Sequence, residues 1–465
     1  MTDWKILLNP NRPRTSTSAG DHREQFERDY DRAVFSTPVK RLQDKAQVFP
    51  LEPHDAVRTR LTHSLEVSSV ARGLATAVSK GLVGDSRYGF ESGMDRKIEA
   101  IAATCGLIHD LGNPPFGHSG EDAIREWFGK RFGVGGLQDK LGGNEHLAKD
   151  FLLFEGNAQT LRIVAKLQVL ADFHGLNLTF GTLSANCKYT ASSLEANENS
   201  ADHAKAKPGY FASEAELIET IRRETGTGEA RNPITFLVEA ADDIVYAVAD
   251  IEDGIKKGIL TWSALETYLR SETAPASELV AKLLASKENI LKAGRQAVPD
   301  DLPDDIHGTA FRTAAIGALV PPAVAAFQAN YDAIMRGEFL GELVTAAEAV
   351  GGLIELLKRI ARQRIYCTPS TLKLELMGRR IIHDLMDLFW EGAEILPLEE
   401  EPKPKEFPGK LGLLLSANYR KVFRHFVKGQ PRLPEIYHRF QLVTDYICGM
   451  TDSFAKRLHA ELTNG

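Results

Sequence analysis

Apolar residues recur at three- and four-residue spacing through almost the whole of this chain, and that periodicity leaves few folds open to it. Val67, Val70, Ala71, Leu74 and Val78 form one stripe, and Ile98, Ile101, Ala102, Cys105 and Ile108 a second. Ile234, Leu237, Val238, Ala241, Val245 and Val248 form a third. Side chains so spaced share one face of a helix, whereas a strand would alternate every second residue. Further helices are predicted near 213–224, 261–292, 309–332, 343–365, 370–391 and 432–462, with one short extended element at Leu176–Thr182. Three stretches read as loops: Ser192–Pro208, small, polar and expected to be mobile; Pro299–Asp305, with two prolines and four aspartates; and Leu398–Pro408, a solvated linker. The expected architecture is all-α, with a flexible segment over 1–28, a helical core over 29–397, and a C-terminal helical region over 409–465. That last region is expected to pack on the core or on a neighbouring subunit. No run of roughly 18 consecutive apolar residues occurs, so no membrane span is expected.

A few polar residues interrupt these apolar faces. His109 stands four residues beyond Cys105 and so shares its face. Gly112-Asn113-Pro114-Pro115 must end that helix directly afterwards, because a proline excludes helical geometry before it. Neighbouring helical residues diverge by about 100°, so His109 and Asp110 can meet one ion only close to such an end. His63 precedes Val67 and Val70 by four and seven residues and also points along a core-facing stripe. A buried imidazole needs a partner, and metal ligation is a common one. The third stripe carries Asp242 and Asp243, where a carboxylate is costly unless paired or metal-bound. Asp242 lines up with Val238, Val245, Tyr246 and Ala249, and Asp243 with Phe236, Glu239, Ala247 and Asp250. The helix alone leaves the choice between them open. Each residue by itself is more often a satisfied core histidine or a surface acid. Three helices that each turn a His or Asp inward make a mixed nitrogen–oxygen site, suited to Mn²⁺, Fe²⁺, Mg²⁺ or Zn²⁺. Such a site activates water as a nucleophile.

Charge limits the partners. Fifty-six Lys and Arg against 63 Asp and Glu give a formal net charge of -7. The field of the whole molecule therefore attracts neither nucleic acid nor phosphate, and an anionic substrate needs a local basic pocket. The four cysteines are far apart and form no CxxC pair, which suggests neither a zinc ribbon nor a disulfide framework. Met1 to Gly20 lacks the apolar stretch of a secretory signal, so a reducing, cytoplasmic setting is expected. The absence of GxxxxGK[ST] sets aside a P-loop nucleotidase.

The order His63…His109-Asp110…Asp242 resembles the HD superfamily of phosphohydrolases. Longer blocks are more specific: Arg58-Thr-Arg-Leu-Thr-His-Ser-Leu-Glu66, Gly106-Leu-Ile-His-Asp-Leu-Gly-Asn-Pro-Pro-Phe-Gly-His118, Glu239-Ala-Ala-Asp-Asp-Ile-Val-Tyr246 and Asp445-Tyr-Ile-Cys-Gly-Met-Thr-Asp452. Together, from about Asp29 to the C-terminus, they resemble the deoxyguanosine triphosphate triphosphohydrolase family. The resemblance implies an HD-domain helical fold with additional C-terminal helices. It also implies hydrolysis of a deoxynucleoside triphosphate, dGTP favoured, to the deoxynucleoside and inorganic tripolyphosphate. It selects Asp242 as the ligand, four residues before the family tyrosine, beside His63, His109 and Asp110. The ion it implies is Mn²⁺ or Mg²⁺, with Fe²⁺, Co²⁺, Ni²⁺ and Zn²⁺ as alternatives.

By the same resemblance Gln47 binds the sugar 3′-hydroxyl, Tyr246 packs under the deoxyribose, and Asp250 accompanies them. Arg60, Lys188, Tyr189 and Lys207 are expected at the phosphates, and Asn157 and Gln159 in the same pocket. His118 and Glu121 match a catalytic dyad. Without the resemblance, Ser119 would read as a helix N-cap and Glu121 as an acid favoured by the helix dipole. Asn113 stands where many HD triphosphohydrolases have a histidine. A homo-oligomer, often a hexamer, is implied, with C-terminal arginines such as Arg420 lent to a site. Affinity for single-stranded DNA is left open. Two rival expectations remain. An HD nucleotidase or phosphodiesterase would keep the four ligands without needing Gln47, Tyr246, Asp250 and the lysines. A non-catalytic nucleotide- or nucleic-acid-binding regulator would bind metal without turnover, and the retained His118 and Glu121 argue against it.

Overall fold

The computed structural model describes residues 2–463 apart from 16–21, 52–54, 86, 134–135, 169–171, 273–274, 295 and 300. Among them lie 22 α-helices and two short strands, so the chain is all-α as the periodicity requires. The three stripes become three packed helices: Arg60–Leu82, Met94–Ile108 and Pro233–Lys256. The first begins with a reciprocal cap, in which the Thr59 hydroxyl accepts from the Thr62 N–H and the Thr62 hydroxyl accepts from the Thr59 N–H. Met94–Ile108 approaches it closely at Gly106, where a β-carbon would lie 2.7 Å from the Ser68 Cα. Pro233–Lys256 starts at Asn232, whose side chain accepts from the Ile234 N–H, with Pro233 in the first turn. One apolar core surrounds these helices, and a second lies between Met94–Ile108, His118–Gly133, Pro369–Glu394 and Glu435–Cys448. The end of Met94–Ile108 passes from the first core into the second, which delivers His109 to the seam.

Several expected boundaries move. The N-terminal stretch is anchored rather than flexible: Asp3 caps the helix Trp4–Leu7, and Trp4 and Leu7 are wholly buried. Trp4 Nε1 donates to the Tyr331 hydroxyl at 2.8 Å, and Arg12 pairs with buried Asp29 at 2.5 Å. An indole buries about 150–250 Å², worth roughly 4–6 kcal/mol at about 25 cal/mol per Å². Ordering a residue costs about 1–2 kcal/mol, so one tryptophan offsets the few residues around it. Residues 16–21 of that segment lie outside the described residues. The next helix, Gln25–Val34, begins before the expected core boundary. The element expected at Leu176–Thr182 is not extended, because Thr179 caps a helix over Phe180–Ala185. The single helix expected over 261–292 divides into Trp262–Arg270 and Ser277–Lys292, and 432–462 divides into Glu435–Cys448 and Asp452–Thr463. Asp304–Ala329 starts earlier than expected. By length and composition alone it is apolar enough to cross a bilayer, a test that a core helix also passes. It packs here against Pro233–Lys256 and Ser277–Lys292, with Phe311, Leu319 and Phe327 fully buried.

The stretch expected to be a mobile loop runs between two short strands. β1 (Ala191–Ser192) and β2 (Pro208–Tyr210) pair in parallel. The connection between them is tied down by Asn197 N–H to Lys205 O at 2.9 Å and His203 N–H to Leu340 O at 2.9 Å. The ribbon closes only because position 209 is glycine: a β-carbon there would stand 1.9 Å from the Tyr189 carbonyl oxygen. Gly209→Ala is therefore expected to lower stability by about 1–3 kcal/mol, the range for overpacking, as read by a denaturant midpoint. An unchanged midpoint would count against this close approach.

The stretch 398–408 does not separate two bodies. Glu401 accepts from Arg420 and Arg424, both at 2.7 Å, and the helices beyond it share the second core with Pro369–Glu394. Arg420 is buried and also donates to the Leu413 and Leu415 carbonyls. Both its Nη groups are taken up inside its own region, and it does not line the cleft of this chain.

Candidate metal centre and cleft

Four expected ligands meet at the seam. His63 lies in the first turn of Arg60–Leu82, His109 caps the C-terminus of Met94–Ile108 with Asp110 after it, and Asp242 sits within Pro233–Lys256. Asp242 Oδ1 is 3.2 Å from His63 Nε2 and 3.4 Å from His109 Nε2. Asp110 Oδ1 is 3.6 Å from His109 Nε2. His109 Nδ1 lies 2.8 Å from the Gly106 carbonyl, which can only accept, so that nitrogen carries the proton. Nε2 faces the carboxylates and is buried without a hydrogen-bond partner. Burial works against charge at His109, Asp110 and Asp242, yet the neighbours prevail. Asp110 and Asp242 hold the His109 imidazole up at about 9. Arg60 and the two histidines hold Asp110 down at about 2, and His109 and His63 hold Asp242 well below the usual carboxylate range. A field that keeps a proton on a buried imidazole will also hold a divalent cation in its place. With an orphaned imidazole nitrogen and carboxylate oxygens around one point, the donor set fits such an ion.

The aspartate left open by the helix pattern is resolved in position. Asp243 turns away and accepts from Lys358 Nζ at 2.7 Å, while Asp242 faces the histidines. Asn113, in the place of a histidine, donates to Asp110 Oδ1 at 2.5 Å and so orients that carboxylate. A second group, His203, Glu239 and Glu342, could also surround an ion. Its charge is already matched, with Arg231 at 2.7 Å and Lys188 at 3.7 Å from Glu239.

A cleft of about 530 Å³ opens over His109, Asp110 and Asp242. Gln47, Arg60, His118, Glu121, Asn157, Lys188, Tyr189, Lys207 and Tyr246 all line it. Arg60 Nη1 bonds to Asp110. Lys207 lies 3.4 Å from Glu155, which also accepts from Asn157 at 2.8 Å. His118 is exposed, with Nδ1 3.5 Å from Glu121 Oε2. Glu121 is buried, and its Oε1 accepts the Gly156 N–H at 2.7 Å. The His118–Glu121 hydrogen bond raises the His118 imidazole above its ordinary value. The helix begins at His118, so Ser119 lies inside the first turn and is not its cap.

Two expected residues are elsewhere. Gln159 is fully buried and donates to Asp445 Oδ1 at 2.9 Å, away from the cleft. Asp250 is buried behind Tyr366, whose hydroxyl donates to it and lies 2.9 Å from that of Tyr246. Burial pushes the Asp250 carboxyl up to about 7, with the Tyr366 hydrogen bond pulling the other way. Tyr366, Lys358, Arg362 and Glu375 line the cleft and were not foreseen. They sit at the end of Glu348–Ile360, in the π-helical turn Ala361–Tyr366, and at the start of Pro369–Glu394. Lys358, Arg359, Arg362 and Arg364 within seven residues of an acidic chain were the available signal.

The C-terminal helices hold two walls of the cleft. Asp452 accepts from the Ala46 and Phe116 N–H groups, both at 3.0 Å. Lys45 Nζ donates to the carbonyls of Asn113 at 2.6 Å and Cys448 at 2.7 Å. Phe116 has a φ of 64°, a strained value for a bulky side chain that persists only when its surroundings impose it. The loops bearing Gln47 and His118 are thus fixed from one end of the chain.

Residues 60–150 match the HD domain family. A deoxyguanosinetriphosphate triphosphohydrolase-like protein of Listeria monocytogenes is 38% identical, over 99% of this chain and 99% of its own length. The deoxyguanosinetriphosphate triphosphohydrolase of Yersinia enterocolitica is 32% identical over 97% of each chain. That of Serratia proteamaculans is 33% identical over 93% of this chain and 92% of its own.

Proposed function

This chain belongs to the deoxyguanosinetriphosphate triphosphohydrolase family of HD-domain hydrolases, and on that premise we propose that it hydrolyses deoxynucleoside triphosphates, dGTP foremost, to the deoxynucleoside and inorganic tripolyphosphate. The observation that carries this reading is the pairing of a His/Asp donor set on the floor of the cleft with Lys188, Lys207, Lys358 and Arg362 on its walls. A chain of net charge -7 provides locally what its whole field denies to an anion.

A divalent ion, Mn²⁺ or Mg²⁺, held by His63, His109, Asp110 and Asp242 supplies Lewis acidity and a lowered pKa for water at the α-phosphorus. The residues of the chain do the rest. Arg60 holds Asp110 in place and turns the rest of its guanidinium toward the phosphates. Lys188, Lys207 and Lys358 face the triphosphate, and the approach of an anion draws them from Glu239, Glu155 and Asp243. Glu121, itself fixed by the Gly156 N–H, accepts the Nδ1–H of His118 and so holds Nε2 in position to move a proton at the α-phosphate. Gln47 Oε1 is buried without a hydrogen-bond partner, and a sugar 3′-hydroxyl satisfies an acceptor that is costly to leave unmade. Tyr246, braced by Tyr366 and Asp250, packs under the deoxyribose and leaves no space for a 2′-hydroxyl.

The test is to incubate the protein with each dNTP and with GTP in Mn²⁺ or Mg²⁺ and to identify products by chromatography. Deoxynucleoside and tripolyphosphate are expected, with GTP slower by roughly a hundredfold. Phosphate or pyrophosphate as the first product moves the chain to another HD reaction. No turnover of single or mixed dNTPs supports a regulator instead.

A further inference from the structure

Asp150, on the helix Glu145–Leu152, is a fully buried carboxylate that the reaction above does not use. Its Oδ1 accepts from Ser193 Oγ at 2.5 Å. Its Oδ2 accepts from the Ala212 N–H at 2.8 Å and from the Tyr437 hydroxyl at 2.5 Å. Ser193 directly follows β1 and Ala212 closely follows β2, so one carboxylate grips both strands beyond the same end of the ribbon. The opposite end carries Lys188 and Tyr189 before β1 and Lys207 before β2, and these three line the cleft. Tyr437 belongs to Glu435–Cys448, the same helix whose Cys448 carbonyl accepts from Lys45. Among the described residues, its only ion-pair candidate is His146 Nε2 at 4.0 Å, on its own helix. Glu214, just after β2, adds a like charge, and Tyr437 is a neutral donor. A buried carboxylate without a close cation is expensive and is kept only when hydrogen bonds satisfy it. Here three donors from three separate segments do so, and two of those segments begin or end the ribbon.

We propose that Asp150 is a positioning residue that clamps the β1–β2 ribbon so that Lys188 and Lys207 are held ready for the phosphate tail of the substrate. The proposal rests on the triphosphate reading of the cleft. Ribbon and lysines form one short lever: Gly209 lies against the Tyr189 carbonyl, so a shift of β2 is felt at the residue next to Lys188. Loss of the clamp frees the lysines and weakens the grip on the tail. The ion ligands lie on other helices and are left in place.

Asp150→Ala is the probe, with three readouts: the dissociation constant for inorganic tripolyphosphate, the split between KM and kcat for a dNTP, and hydrogen exchange over 188–211. Tripolyphosphate affinity is expected to fall, and KM to rise, by about tenfold, with kcat within about threefold, and the ribbon amides are expected to exchange faster. Asp150→Asn keeps an oxygen for Tyr437 and Ala212 and is expected to recover most of the loss. If Asp150→Ala does not fold, Ser193→Ala cuts one arm of the clamp and is read in the same way. A lower melting temperature with KM and tripolyphosphate affinity unchanged would make Asp150 merely structural and overturn the proposal. Binding and exchange need no turnover. A parent protein that binds tripolyphosphate and hydrolyses no dNTP would defeat the functional reading, while the clamp would still be decided by those two measurements.

Discussion

Asp242→Ala is expected to yield a folded protein whose kcat on dNTP falls by roughly a thousandfold. An ion polarising a phosphoryl oxygen is worth several kcal/mol, and about 1.4 kcal/mol is a factor of ten in rate. The loss falls on chemistry because Asp242 has so little structural work. Its carboxylate is part-exposed and its contacts are with His63 and His109, themselves in place through their own helices. Removing it leaves a smaller, less negative donor set, so stabilisation of the fold by Mn²⁺, read as a rise in melting temperature, should shrink alongside kcat. Asp243→Ala, one residue along the same helix, separates from its pair with Lys358 and should cost much less than Asp242→Ala. Comparable losses at the two positions would contradict the arrangement described. So would an Asp242→Ala enzyme within tenfold of the parent.

The two aspartates also mark how far the sequence reaches. An apolar stripe is forced by burial, so the three ligand helices, and the polar residues that interrupt them, are legible from spacing alone. Spacing could not choose between Asp242 and Asp243, because the choice depends on where two other helices sit. Tyr366, Lys358 and Arg362 were harder still. They reach the cleft from a π-helical turn, where the residue count per turn departs from the period being read. Asp250 fell on the right helix, but the hydroxyl of Tyr366 stands between it and the cleft. The N-terminus reads as flexible because Asn9 to Gly20 is polar, although Trp4 and the Ile6-Leu7-Leu8 run beside it are enough to anchor a short segment. Ser192–Pro208 reads as loop by composition, and its order comes from backbone bonds and from Asp150, a distant residue in sequence.

Asp445→Ala is expected to lower stability by about 3–5 kcal/mol, the range for breaking a buried ion pair from one side. Asp445 accepts from Arg162 Nε at 2.8 Å and Nη2 at 2.7 Å, and from Gln159 at 2.9 Å. Arg162 also reaches Glu214 at 3.0 Å, and Lys166 reaches the same carboxylate at 2.9 Å. The four charges are buried and balanced, two of each sign. Without Asp445, one positive charge stays uncompensated in the interior, and Gln159 loses its acceptor. Native proteins are stable by only about 5–15 kcal/mol, so the loss should move a denaturant midpoint far. A second substitution tests the cause. Arg162→Met in the Asp445→Ala background leaves Lys166 and Glu214 as a matched pair, and replacing both ends of a buried pair with apolar groups is often close to neutral. The double variant should therefore be more stable than Asp445→Ala alone, although it has lost more hydrogen bonds. If it is less stable, the four groups contribute through their hydrogen bonds and not through charge balance. Arg162 ends the helix whose first residue, Gly156, fixes Glu121, so this pair ties the C-terminal helices to the His118–Glu121 pair as well as to the core.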